Sequence, residues 1–199
     1  MMATITIDDR TLEFQPPMTI LAAARKLGIP IPTLCFNGHL TPYGGCRVCL
    51  VEVAGAGRGR LLPACATPAE DGMSVVSSSE RVKEARKFVI ELLLSRAPNS
   101  PELQAIARTL GVDPAGPLDA VAEYLLVRAP RREPTNCILC ALCVRVCAQV
   151  PERHALSLSK RGIQRKAISP FGKVAETCIG CGSCAYVCPT KTIKVEEAG

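Results

Sequence analysis

The stretch Cys178-Ile179-Gly180-Cys181-Gly182-Ser183-Cys184-Ala185-Tyr186-Val187-Cys188-Pro189 sets four cysteines at gaps of two, two and three residues and closes on proline. That run is the one used for paired [4Fe–4S] clusters. The same spacing occurs once more upstream, at Cys137, Cys140, Cys143 and Cys147. An internal duplication of this kind within 136–197 is the mark of a two-cluster ferredoxin fold. Three closely spaced cysteines wrap one cube, and the fourth lies too far around the following helix to reach it comfortably. Two-cluster ferredoxins exchange that ligand, so the expected sets are Cys137, Cys140, Cys143 with Cys188, and Cys178, Cys181, Cys184 with Cys147. Gly180 and Gly182 free the backbone amides to turn toward sulfur, and Pro189 stops the turn beyond the last ligand. A zinc ribbon, the rival reading, needs neither the repeated third cysteine nor a fourth at this distance.

Four of the twelve cysteines remain, Cys35, Cys46, Cys49 and Cys65, and with them every cysteine belongs to a tetrad. The ten-residue first gap does not match the short plant-type motif, which begins with a gap of about four. Gly44-Gly45 before Cys46 offers a backbone free to wrap closely around a cluster. Around this tetrad, Ala3 to Ile7 alternates with β-branched residues, Asp8-Asp9-Arg10 turns, and Thr11 to Phe14 continues as a second strand. Thr19 to Leu27 is rich in Ala and Leu and stops at Gly28, which predicts a helix. Val48 to Val53, Leu61 to Ala64 and Met73 to Val76 read as further strands. Strand, strand, helix, cysteine loop is the opening of a β-grasp, and four cysteines on that scaffold favour [2Fe–2S], with a structural zinc site as the alternative.

Ser77 followed by Glu80 reads as a capping box for a helix running to about Arg96, with Val82, Ala85, Val89 and Leu92 or Leu93 on its apolar face. The serine run here is read as helix capping rather than a modification site. Beyond it, Ala97-Pro98-Asn99-Ser100-Pro101 breaks the helix, Glu102 to Leu110 is a short helix ended by Gly111, and Leu118 to Val127 is another. Pro130 and Pro134 then introduce the first motif. The fold class expected is α+β. A [2Fe–2S] ferredoxin-type β-grasp domain occupies 1–78, a helical connector 79–134, and a two-cluster [4Fe–4S] ferredoxin-type domain 135–199.

The repeated two-residue spacing and the lack of a secretory apolar segment argue against disulfides and for a reducing, cytoplasmic compartment. The longest apolar stretch, Phe88 to Leu94, is interrupted by Glu91 and is too short for a bilayer, so no direct membrane span is expected. A formal charge of +6 suggests nucleic acid, but coordinated thiols are deprotonated. Each oxidised cluster with its four thiolates carries roughly −2, which brings the loaded protein to about zero. With no Trp, three Tyr and four Phe there is no stacking platform, and no nucleic-acid partner is expected. His39 and His154 have no partner residues that would make a triad and read as ordinary loop residues. No P-loop, G-x-G-x-x-G or acid–base constellation occurs, so no catalytic residue is expected here.

Pro42-Tyr43-Gly44-Gly45-Cys46-Arg47-Val48-Cys49-Leu50-Val51-Glu52-Val53, with Glu91-Leu92-Leu93-Leu94-Ser95-Arg96 and Ser169-Pro170-Phe171-Gly172-Lys173, resembles the N-terminal part of the G-type iron–sulfur subunit of respiratory NADH dehydrogenase, complex I. It is similar also to the diaphorase gamma subunit of NAD-linked hydrogenases and the matching part of NAD-dependent formate dehydrogenases. The resemblance implies one [2Fe–2S] and two [4Fe–4S] clusters that carry electrons. It also implies a flavoprotein partner holding FMN and oxidising NAD(P)H, and a separate catalytic subunit such as a hydrogenase, a formate dehydrogenase or another reductase. In that family the Leu-Leu-Leu-Ser-Arg segment leads into a histidine and three cysteines that bind a further cluster. Here it leads into Ala97-Pro98-Asn99-Ser100-Pro101, which has no ligand, so that cluster is expected to be absent. Arg47, between two ligands, is either a tuning or docking residue or a solvated arginine. A free-standing multi-cluster ferredoxin and the iron–sulfur subunit of a succinate dehydrogenase or fumarate reductase are the competing expectations. The second is opposed by that family's short first gap.

Overall fold

The computed structural model describes residues 2–55, 59–129, 135–172 and 176–194. Pro130, Pro134 and Lys173, on which parts of the sequence reading rest, lie outside them. The protein divides into two compact units, one of Met1–Phe36 and Pro42–Ile90, the other of Asn37–Thr41 and Glu91–Gly199.

The first unit is built on a five-stranded mixed sheet in the order β2-β1-β5-β3-β4. Strand β1 (Ala3–Ile7) alternates buried and half-exposed residues, so Ala3, Ile5 and Ile7 enter the core while Thr4 and Thr6 face outward. The turn at Asp8, with φ of 53°, folds β2 (Arg10–Phe14) back antiparallel, pairing Ala3 with Phe14. The last strand, β5 (Met73–Val76), lies parallel to β1 with Ile5 opposite Met73, and β3 (Leu50–Val53) runs antiparallel to both β5 and β4 (Arg60–Pro63). A parallel central pair flanked by hairpins, with helix α1 (Ile20–Lys26) in the same core, is the β-grasp arrangement. Helix α1 starts where the Thr19 hydroxyl accepts the Ala22 N–H at 3.2 Å, and it ends at Gly28, whose φ of 70° suits glycine. Its Ala23 and Ala24 are fully buried, small enough to let the backbone lie close to the core. Each of Ile5, Ile7, Ile20, Leu21, Val51 and Val75 leaves water almost completely, worth about 1.5–3 kcal/mol apiece.

Helix α2 (Glu80–Arg96) departs from the sequence reading in two ways. Its first turn is capped by Ser79, whose hydroxyl accepts the Val82 N–H at 3.2 Å. Ser77 instead donates its N–H and hydroxyl to the Asp8 carboxylate at 2.8 and 2.7 Å. The buried stripe is Val82, Arg86, Ile90 and Leu94, a strict i, i+4 row, rather than the face through Ala85 and Val89. Arg86 joins it because Nε and Nη2 both donate to the Leu50 carbonyl, at 3.0 and 2.7 Å. A charged residue inside that row hid its phase from a hydrophobic pattern.

In the second unit, α3 (Pro101–Thr109) is capped by the buried Ser100, whose hydroxyl accepts the Leu103 N–H at 3.3 Å. Ala97 is fully buried. Helix α4 (Ala120–Arg128) is capped by Asp119, which accepts from Val121 at 2.9 Å. Helix α5 (Leu142–Gln149) carries two cysteines, and a short hairpin of β6 (Ser157–Ser159) and β7 (Lys166–Ile168) lies between the two cysteine runs. The single-turn helix α6 (Ser183–Tyr186) lies within the second cysteine run and carries Cys184. Gln149 and Arg145 of α5 both bond the backbone of Thr41, the Gln149 Oε1 accepting its N–H at 2.8 Å. Among the described residues no helix is long and apolar enough to cross a membrane.

Candidate metal centres

Cys35, Cys46, Cys49 and Cys65 converge at one end of the first sheet. The first three lie in the long connection that leads into β3, and Cys65 follows β4. All four are buried. Gly44, with φ of 65°, brings the backbone so near that a Cβ there would stand 3.1 Å from Ala66 Cβ. Arg47 takes a φ of 61° between the two middle cysteines and is exposed, as is His39.

The sulfurs are in hydrogen-bond contact with one another, and the Cys46 N–H donates to Cys35 Sγ at 3.4 Å. Hydrogen bonds from the Cys46 and Cys65 thiols hold Cys35 far below an ordinary thiol, and Cys65 also holds Cys49 down. The donors move in the opposite direction: Cys46 and Cys65 are pushed up, first by those same hydrogen bonds and then by burial. Four buried sulfurs this close cannot all ionise against their mutual repulsion unless a cationic core compensates them. The donor set therefore suits an iron cluster.

The second unit holds the other eight cysteines in two groups. Cys137, Cys140, Cys143 and Cys188 line a cavity of about 770 Å³. Cys178, Cys181 and Cys184 line a second, of about 320 Å³, together with Cys147. In each group the fourth sulfur comes from the other motif. Cys143 and Cys147 both belong to α5, and four residues of helix advance about 6 Å along its axis. One turn is thus enough to pass from the first cavity to the second.

Both copies reach their helix through the same backbone. Leu139 and Ala141 have φ of 55° and 60°, and the equivalent Gly180 and Gly182 have φ of 66° and 70°. Just past it, the Leu142 N–H bonds Cys140 and the Ser183 N–H bonds Cys181. His154 is exposed and takes no place in either cavity lining.

The two groups differ in environment. Burial pushes Cys140 up to about 12 and Cys143 up to about 11, with neighbouring thiols adding to both. Burial raises Cys188 too, but the N–H groups of Ile193, Thr190 and Thr192 more than offset it and leave the thiol below its ordinary value. Cys178 and Cys181 are exposed, and the Ser183 hydroxyl and N–H lower Cys181. Arg96, Lys160, Arg165 and Lys166 line the first cavity, and no carboxylate is among the described residues that do. Arg96 is fixed there by donating to the Cys137 carbonyl at 2.8 Å and the Arg165 carbonyl at 3.3 Å. Sequence reasoning missed Arg96, Thr190 and Thr192. Only the second and third lay within reach of it, as polar residues just past the last ligand.

Among the described residues no three His, Cys, Asp or Glu side chains converge as a single metal ion requires, with every sulfur about 2.3 Å from one point. A cluster, whose irons are separate points, does not need that convergence.

A family model for a 2Fe-2S iron-sulfur cluster binding domain matches residues 1–80, and one for a 4Fe-4S dicluster domain matches 136–195. The chain is 34% identical to the second G-type subunit of NADH-quinone oxidoreductase from Rhizobium meliloti (strain 1021), over 94% of this chain and 23% of that protein. It is 37% identical to NADP-reducing hydrogenase subunit HndD of Solidesulfovibrio fructosivorans, over 98% of this chain and 36% of the relative. The NADPH-Fe(3+) oxidoreductase subunit alpha of Geobacter sulfurreducens is 34% identical, over 96% of this chain and 24% of its own length. The chain thus spans about a quarter to a third of the curated relatives it matches. A solved structure of NAD+-reducing [NiFe]-hydrogenase in the H2-reduced state superposes with a TM-score of 0.78 at 28% identity, covering 99% of this chain and 88% of that one. An α+β protein with a 2Fe–2S iron–sulfur cluster binding domain ahead of a 4Fe–4S dicluster domain, it has homologues among a G-type subunit of NADH-quinone oxidoreductase, a subunit of an NADP-reducing hydrogenase and the alpha subunit of an NADPH-Fe(3+) oxidoreductase.

Proposed function

We propose that this protein is an electron-transfer subunit carrying one [2Fe–2S] cluster on Cys35, Cys46, Cys49 and Cys65. Two [4Fe–4S] clusters complete it, one on Cys137, Cys140, Cys143 and Cys188, the other on Cys178, Cys181, Cys184 and Cys147. The observation that carries this reading is the grouping of eight cysteines around two cavities with the fourth sulfur exchanged. The clusters supply reversible one-electron chemistry when bound. The protein's own residues hold them, shield them and set the charge around them. Residues 1–78, 79–134 and 135–199 serve as [2Fe–2S] module, helical connector and two-cluster module. The electron donor is an FMN-bearing subunit that oxidises NAD(P)H, the acceptor a separate catalytic subunit such as a hydrogenase, formate dehydrogenase or other reductase, and flow in reverse is equally served. The names of the relatives support this assembly, and the cytoplasm is its compartment.

The reconstituted protein should hold about ten irons, two plus four plus four. Capping of α3 by Ser100, where relatives of the complex I type would begin a further ligand set, supports a count without a fourth cluster. A count near fourteen by iron analysis would overturn it. Cys147→Ser should perturb the spectrum of the cluster held by Cys178, Cys181 and Cys184. Damage confined to the Cys137 cluster would overturn the exchanged ligation.

A further inference from the structure

Thr190 is a buried polar residue, 3% exposed, beside a ligand sulfur. The other buried polar side chains among the described residues have structural partners: Ser77 binds Asp8, Arg86 binds the Leu50 carbonyl, and Ser100 caps α3. Thr190 Oγ1 instead lies 3.8 Å from Cys188 Sγ, within reach of the larger sulfur, and 2.9 Å from Thr192 Oγ1. The Thr192 N–H reaches the same sulfur at 3.3 Å, and both threonines line the first cavity.

Ligation fixes the direction of these bonds. A thiolate has no proton to give, so Thr190 must donate to Cys188 Sγ, and its lone pair then accepts the Thr192 hydroxyl. Cys147, at the equivalent place in the other motif, receives the Ala155 N–H at 3.3 Å, from a residue with no hydroxyl to add. The two fourth ligands are therefore dressed differently.

On the ligand sets proposed above, we propose that Thr190 and Thr192 form a hydroxyl relay that raises the reduction potential of the cluster held by Cys137, Cys140, Cys143 and Cys188. Reduction brings one electron from the redox partner and adds one negative charge to the site, with no bond formed or broken. Hydrogen bonds to sulfur spread that charge and favour the reduced form. The relay offsets the burial of this cavity, which opposes added charge.

The test is a redox titration of the loaded protein with dithionite, each cluster followed by its paramagnetic resonance signal and assigned with Cys140→Ser and Cys181→Ser. Thr190→Val keeps the side chain's shape and removes its hydroxyl. At the wild-type midpoint it should lower the reduced-to-oxidised ratio about tenfold, or about 59 mV for a one-electron couple. Thr192→Val should shift the same signal in the same direction by less, and Thr190→Ser should restore most of the loss. Should Thr190→Val lose its iron, Thr192→Val carries the test alone. A shift confined to the signal that Cys181→Ser disturbs would overturn the ligand sets on which the proposal rests. Unchanged potentials in both threonine variants, with ligation intact, would overturn the relay itself.

Discussion

Glu52 stands half-buried on β3 with its two carboxylate oxygens committed to different partners: Oε2 accepts the Ser79 hydroxyl at 2.8 Å and Oε1 accepts Arg81 Nη1 at 2.8 Å. The Ser79 hydrogen bond first, and the Arg81 hydrogen bond and charge next, hold its carboxyl below the ordinary 4.5. A depressed carboxyl stabilises the fold wherever it is ionised, so its contribution is complete above pH 4.5 and disappears as the pH falls through the lower folded value. Glu52→Gln should therefore lower the unfolding temperature at neutral pH, with the deficit closing on acidification below 4.5. A deficit that persists unchanged to about pH 3, below the unperturbed carboxyl range, would assign it to packing instead. None of this was visible at the residue scale in the sequence, because Glu52 and Ser79 are brought together only by the return of the backbone through β4 and β5 to the start of α2. The twelve cysteines proposed as ligands were visible, since a cluster demands sulfur of a fixed number and spacing whatever the path of the backbone between motifs.

Among the elements, the two cysteine runs pose the same backbone problem and solve it with different residues. Gly180 and Gly182 enter the left-handed region freely, while Leu139 and Ala141 do so against a cost of about 1–2 kcal/mol per residue. Ala141→Gly should accordingly raise the stability of the loaded protein by about 1 kcal/mol, and Gly182→Ala should lower it by a similar amount. Thermal unfolding would read these as opposite shifts of about 2–4 °C. Equal signs for the two would refute the shared geometry. Strand β1, helix α1 and the short helix α3 were legible because alternation and a Gly stop are local signals, although Pro101, read as part of the breaker, is the first residue of α3. The phase of α2 and the identity of its cap were not. Arg86 occupies a buried position that a hydrophobic count assigns to solvent, and Ser77 is drawn to Asp8 by a strand pairing that no local window contains.

For the whole molecule, the proposed role makes the protein one member of an assembly, so it should leave native extracts with a flavoprotein and a catalytic subunit. Size exclusion followed by intact mass spectrometry checks this, and a lone particle of 21.2 kDa with full iron would favour a free-standing ferredoxin. The order of the two iron–sulfur domains, the spacing of the twelve cysteines and the lack of His or Cys from Ala97 to Pro101 were determined by the sequence alone, because metal ligation is a demand on residue type and spacing. Tertiary structure decided which eight cysteines share which cavity, and it set Thr190 and Thr192 on one sulfur and Arg96 beside the first cavity. Those depend on where α5 and α6 carry residues far apart in sequence. The surroundings of a cluster come from packing, and packing has no signature in the order of residues.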